Sequence, residues 1–172
     1  MAGYSLYHEN WFAMAVSINS IHLRLLPNRT TSETIRATVE RLNAVSMWLI
    51  ETAGAHRLRD RNVIQRMYYH EMREQFGLPS QMALRVIVRC IAATKAGKGT
   101  PPAFDVHDPV PYGPNMVSFR SLTAASLLTL EGRVEVPLKV LGYGEERFGT
   151  ALLTWKPEGV WMTVPCNLPP EP

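Results

Sequence analysis

The sequence predicts an α+β fold, a small β-barrel interrupted by a helical insertion of about three helices. Three observations predict it. An alternating apolar pattern runs through residues 16–26, a block of helical period fills 30–95, and short strand-like segments follow from 103 onward. The early strand has the wrong period for its helical neighbours, so it is expected to join the later sheet. The chain has 172 residues and is 46% hydrophobic and 19% charged, enough to bury a core rather than remain disordered.

Each element has its own signal. Val16 and Ile18 alternate with polar residues. After a phase shift, Ile21, Leu23 and Leu25 do the same, which reads as a strand with a possible bulge, ended by Pro27-Asn28. Thr30-Thr-Ser-Glu33 has a capping-box pattern, and Ile35, Val39, Leu42 and Leu49 keep one helical face as far as Gly54. Asp60 is placed to cap a second helix with Val63, Ile64, Met67, Tyr68 and Phe76 in period, and Gly77 ends it. Pro79 suits the first turn of a third helix that runs to about Lys95 and stops at Gly97. Strands are expected at 103–107, 116–120, 125–130, 134–141, 150–155 and 160–165, separated by turn residues at 112–115, 131–132, 142–144 and 157–159. The layout gives a β-domain of 14–29 and 101–168 and a helical insertion of 30–100. Residues 1–13 read as an N-terminal extension and the proline-rich 169–172 as a linker toward a further domain.

Charge is uneven. The net value is +3, yet residues 1–100 hold 13 basic and 7 acidic groups, whereas 101–172 hold 5 and 8. In 55–98, nine Arg or Lys face only Asp60, Glu71 and Glu74. A localised basic region suits a polyanion, because phosphate contacts release counterions; a solvated helical surface would carry the same pattern. Fourteen of the 18 basic residues are Arg, whose planar fork fits phosphates and base edges. The third helix is apolar almost all round except for Gln81, Arg85 and Arg89, spaced i, i+4, i+8 on one line. That line needs a polar neighbour: a nucleic-acid backbone or groove, water, or acidic groups such as Glu71 and Glu74. Ser80, Arg73 and Arg66 nearby extend the set of candidate nucleic-acid contacts.

Other chemistry is not signalled. Asp105 and His107 would share a strand face, but two ligands are too few for a catalytic metal, and a polar strand end before Pro109 explains them. Lys98 between glycines lacks Walker spacing. Ser32, Ser80 and Ser118 stand in no nucleophile-elbow context, and Cys90 in an apolar helix reads as inert packing. No catalytic residue, metal site or cofactor is therefore expected on this chain. Cys90 and Cys166 form no zinc or disulfide pattern, no run of 18 apolar residues spans a membrane, and 1–16 lacks a secretory signal. The sequon at Asn28-Arg29-Thr30 then has no secretory context, and a reducing cytoplasm is the expected home.

Four segments in order resemble one family. Ile21 to Pro27 (IHLRLLP) before a helix resembles the opening strand of TnpB proteins, the transposon-associated RNA-guided nucleases related to type V CRISPR effectors. Tyr69 to Ala83 (YHEMREQFGLPSQMA) is similar to the family's segment joining two recognition-lobe helices. Tyr112 to Phe119 (YGPNMVSF), Leu128 to Arg133 (LTLEGR) and Val136-Pro137 resemble its next β-region, and Leu152 to Val164 (LLTWKPEGVWMTV) its closing hairpin. The likeness covers roughly 16–170. It implies a β-barrel wedge domain interrupted by a helical recognition domain, gripping structured guide RNA and reading a short motif in target-flanking duplex DNA. It makes Gln81 a candidate reader, since Gln bonds bidentately to adenine, with Arg85 and Arg89 near phosphates or the guide duplex, and it implies Tyr112, Asn115, Ser118 and Arg120 as further candidates from the barrel side. Family nucleases continue into a RuvC domain and a zinc ribbon. This chain stops at Pro172 with neither, so the expected module binds without cutting and a RuvC-containing segment lies elsewhere.

Overall fold

The computed structural model of the chain describes residues 19–54, 57–98, 100–145 and 150–166. Expectations for 1–13, for Val16 and Ile18, and for the proline-rich end lie outside them. The elements run β1 (Asn19–Leu25), α1 (Arg29–Ala53), α2 (Arg61–Phe76), α3 (Ser80–Ala96), β2 (Val110–Tyr112), β3 (Val117–Ser121), β4 (Ala124–Thr129), β5 (Gly132–Glu145), β6 (Ala151–Lys156) and β7 (Gly159–Cys166). The chain is α+β, with three helices inserted between the first strand and the rest of one antiparallel sheet. Contacts divide it into two units, with the boundary inside α1: among the described residues, 40–108 form one unit and 19–39 with 109–166 the other.

In the sheet unit the strand order is β2-β6-β7-β1-β5-β4-β3. The N-terminal strand therefore sits at the centre of the sheet, between β7 and β5. Leu23 and Leu25 point into the core as the alternation predicts. The irregularity is carried by the partner strand: across from β1 the register slips between His22 and Leu23, where β5 holds Leu141 as an extra residue, while β1 and β7 pair without a break.

The sheet curls. β2 and β3 occupy its opposite edges, yet only 113–116 separate them in sequence. Such a link spans at most about 18 Å at ~3.6 Å per residue, so the two edges come near each other. The buried Tyr112 hydroxyl on β2 then donates to the Leu128 carbonyl on β4 at 2.6 Å. No ladder between β2 and β3 appears among the described residues, and the result is a curled half-barrel. Within this unit, the first turns of α1 bring Ile35 and Val39 into the core, Trp155 Nε1 donates to Ser32 at 3.2 Å, and the Leu130 N–H donates to Thr38 at 3.2 Å.

The helical unit holds the rest of α1 with α2 and α3. Its core includes Leu42, Val45, Leu49, Ile64, Tyr68, Met72, Met82, Val86 and Ile87. Asp60 caps α2 as expected, accepting from the N–H groups of Asn62 at 2.8 Å and Val63 at 3.3 Å, and Gly77 ends it in the left-handed region at φ 65°. Two helix starts differ from the sequence reading. α1 begins at Arg29, where Asn28 Oδ1 accepts the Thr31 N–H at 2.8 Å and so replaces Thr30 as the cap. Pro79 is the residue before α3 rather than its first turn.

The strand expected at 103–107 is absent, and the chain turns there instead. Side-chain bonds to the backbone outcompete a ladder there. The Asn43 amide donates to the carbonyls of Val106 at 3.0 Å and Asp108 at 2.9 Å, and the Asp108 carboxylate accepts the Asp105 N–H at 3.0 Å. The first strand after the helices is β2.

Candidate nucleic-acid interface

The second helix builds the candidate site. Asn62, Gln65, Arg66, Tyr69, His70 and Arg73 follow each other at steps of three, one, three, one and three, which sets them on one stripe of α2. Ile64, Tyr68 and Met72 make the adjoining buried stripe that fixes the helix against its unit. Glu71 and Glu74, the two carboxylates of α2, fall outside the polar stripe. Among the described residues neither Arg66 nor Arg73 has a carboxylate partner. Five of the six, Asn62 to His70, line a shallow groove of about 390 Å³.

Tyr69 is the fixed point of this groove. Its hydroxyl donates to Ser80 at the start of α3 at 2.8 Å, the Arg73 guanidinium lies over its ring at 5.7 Å, and the His70 ring meets it edge-on at 5.3 Å. Its pKa is held below the ordinary phenol value, first by the Ser80 hydrogen bond and then by the Arg73 charge. Ser80 achieves this by turning its own O–H toward the phenolate once the proton leaves.

The structure brings only some of the sequence candidates together. Arg66, Arg73 and Ser80 belong to the α2 groove and its pinned tyrosine. Gln81 and Arg85 are half-buried on α3. Arg89 is buried, and the expected continuous polar line therefore breaks at its third member. Its guanidinium donates to Asn43 Oδ1 at 2.7 Å and Ser46 Oγ at 3.4 Å, and stacks on Phe104 at 3.8 Å. In the sheet unit, Tyr112 is spent on the Leu128 carbonyl, and burial pushes its pKa well up. Asn115 and Ser118 are exposed, and the Asn115 carbonyl accepts from Arg133 at 2.8 Å. Arg120 is exposed and pairs with Glu135 at 3.2 Å.

Asn62, Gln65, Tyr69 and His70 join the candidate stripe without being among the sequence candidates. The signal was available: extending Arg66 and Arg73 by helical steps reaches all four.

Among the described residues no three His, Cys, Asp or Glu side chains gather as a metal site, and no helix is long and apolar enough to cross a membrane. His107 meets Glu40 at 2.8 Å. No protein family, curated protein or solved structure matches the chain.

Proposed function

We propose that this chain is a nucleic-acid-binding recognition module of a TnpB-like, transposon-associated protein, which holds structured guide RNA and contacts target-flanking DNA without cutting it. The observation that carries the reading is the carboxylate-free stripe of α2, where two arginines flank a pinned tyrosine. Phosphates favour such a surface because each neutralised charge releases counterions, and an aromatic ring among arginines adds stacking for bases. The sequence resemblance and the sheet-plus-insertion layout support the same reading. Cleavage is left to a RuvC-containing segment, joined to this chain or separate from it.

The test is binding of structured RNA and of duplex DNA, followed by fluorescence anisotropy across a salt series. The double variant Arg66→Gln with Arg73→Gln should weaken binding and flatten the salt slope by roughly one to two, with an unchanged melting curve. Equal affinity and slope in the wild type and the double variant would remove the α2 stripe from the interface. A protein that purifies free of nucleic acid and binds none would favour a protein-interaction scaffold.

A further inference from the structure

The α2 groove has more structure than a phosphate-binding surface needs. Arginines alone supply charge, and they do so from any exposed helix face. Here the groove is also lined by two amides, the exposed Asn62 and the half-buried Gln65, one helical turn apart, and by a half-buried aromatic ring, Tyr69. The ring is not free to swing. Its hydroxyl is tied to Ser80 at 2.8 Å and His70 meets it edge-on at 5.3 Å, while the Arg73 guanidinium stands 5.7 Å from its centroid on a long side chain that can turn to a phosphate. A ring held in place loses little entropy when something stacks on it.

We propose that this groove is a seat for a single unstacked base of single-stranded nucleic acid. The base stacks on Tyr69, its edge meets the amides of Asn62 and Gln65, and Arg66 and Arg73 take the flanking phosphates. The assignment rests on the nucleic-acid reading above and narrows it. Amide side chains present both a donor and an acceptor, which suits a base edge and gives phosphate nothing that the arginines lack. A paired base in a duplex keeps its faces stacked on its neighbours, so the Tyr69 ring has nothing to stack on until a base is splayed out. The groove volume of about 390 Å³ leaves room for a base with part of its sugar.

The experiment compares one short oligonucleotide as a single strand and as a blunt duplex, each in ribose and deoxyribose form, at one fixed salt. The single strand should bind roughly tenfold tighter than the duplex, as expected for one stacked base. Tyr69→Ala should erase that preference and leave the salt slope unchanged, whereas Tyr69→Phe, which keeps the ring but loses its tie to Ser80, should retain most of it. Asn62→Ala with Gln65→Ala, one side chain exposed and the other half-buried, should reduce it while preserving the fold, and this variant decides the matter if Tyr69→Ala unfolds. Binding that depends on Arg66 and Arg73 but ignores strandedness, Tyr69 and the amides would overturn the base seat and leave the nucleic-acid reading standing. Failure to bind any of the four oligonucleotides would overturn both.

Discussion

Arg89 offers the sharpest quantitative test, because its place inside the helical unit and its sequence-predicted place on a nucleic-acid surface lead to opposite outcomes. The side chain is 8% exposed and donates to Asn43 Oδ1 at 2.7 Å. Asn43 is itself buried, and its amide nitrogen holds the carbonyls of Val106 and Asp108. Arg89→Met keeps an apolar stem but strands the Asn43 oxygen, which costs about 1–3 kcal/mol for a buried acceptor left unpaired. It also removes the guanidinium from Phe104, a contact of 3.8 Å worth up to about 2 kcal/mol when desolvated. The combined loss is about 1–5 kcal/mol, or roughly 2–4 °C in melting temperature for each kcal/mol in a chain of this size. Asn43→Asp provides the companion perturbation. The carboxylate would still accept from Arg89, but it would face two carbonyls that have lost their donor, so the 106–108 turn should loosen. Urea unfolding and differential scanning calorimetry measure the stability losses, and hydrogen exchange at 105–108 reads the turn. An Arg89→Met protein that keeps its stability within about 0.5 kcal/mol, the range of neutral surface substitutions, yet loses nucleic-acid affinity would refute the internal role and restore the surface one.

Three further predictions follow from the same kind of accounting. Cys90 is buried, and burial pushes its thiol up to about 12 despite the nearby Arg89 charge; in a Cys166→Ser background a thiol reagent at neutral pH should therefore label the protein only after denaturant is added, and rapid labelling of the native form would contradict this. Tyr112→Phe removes the 2.6 Å bond to the Leu128 carbonyl and should cost about 1 kcal/mol in urea unfolding, with nucleic-acid affinity unchanged. Because Ser80 and then Arg73 hold the Tyr69 phenol below its ordinary value of 10.0, a negative charge appears in the α2 groove as pH rises through that lowered value. Anisotropy against pH should show oligonucleotide affinity falling there, and Tyr69→Phe should lack that step; identical profiles would mean the phenol does not face the ligand.

Local rules account for much of what the sequence made legible. The three helices, the Asp60 cap, the Gly77 stop and five of the six later strands were readable because period, capping and turn residues act within a few positions of one another. The strand expected at 103–107 was not, because its competitor is Asn43, some sixty residues away, which satisfies the turn from outside. The central position of β1 and the curl of the sheet are non-local for the same reason: they depend on which strands pair, and pairing energy resides in cross-strand contacts that no window of sequence contains.

For the candidate site, the sequence by itself determined the basic excess of 55–98 and the helical spacing that makes a stripe possible. Only the tertiary structure decided which arginines remain available. Arg89 and Arg66 carry the same charge and both sit in helices, so periodicity treats them alike. What separates them is the buried Asn43 and Phe104 beside one, and the groove beside the other. A guanidinium goes where its donors are satisfied, and that choice belongs to packing between helices, not to the order of residues along one of them.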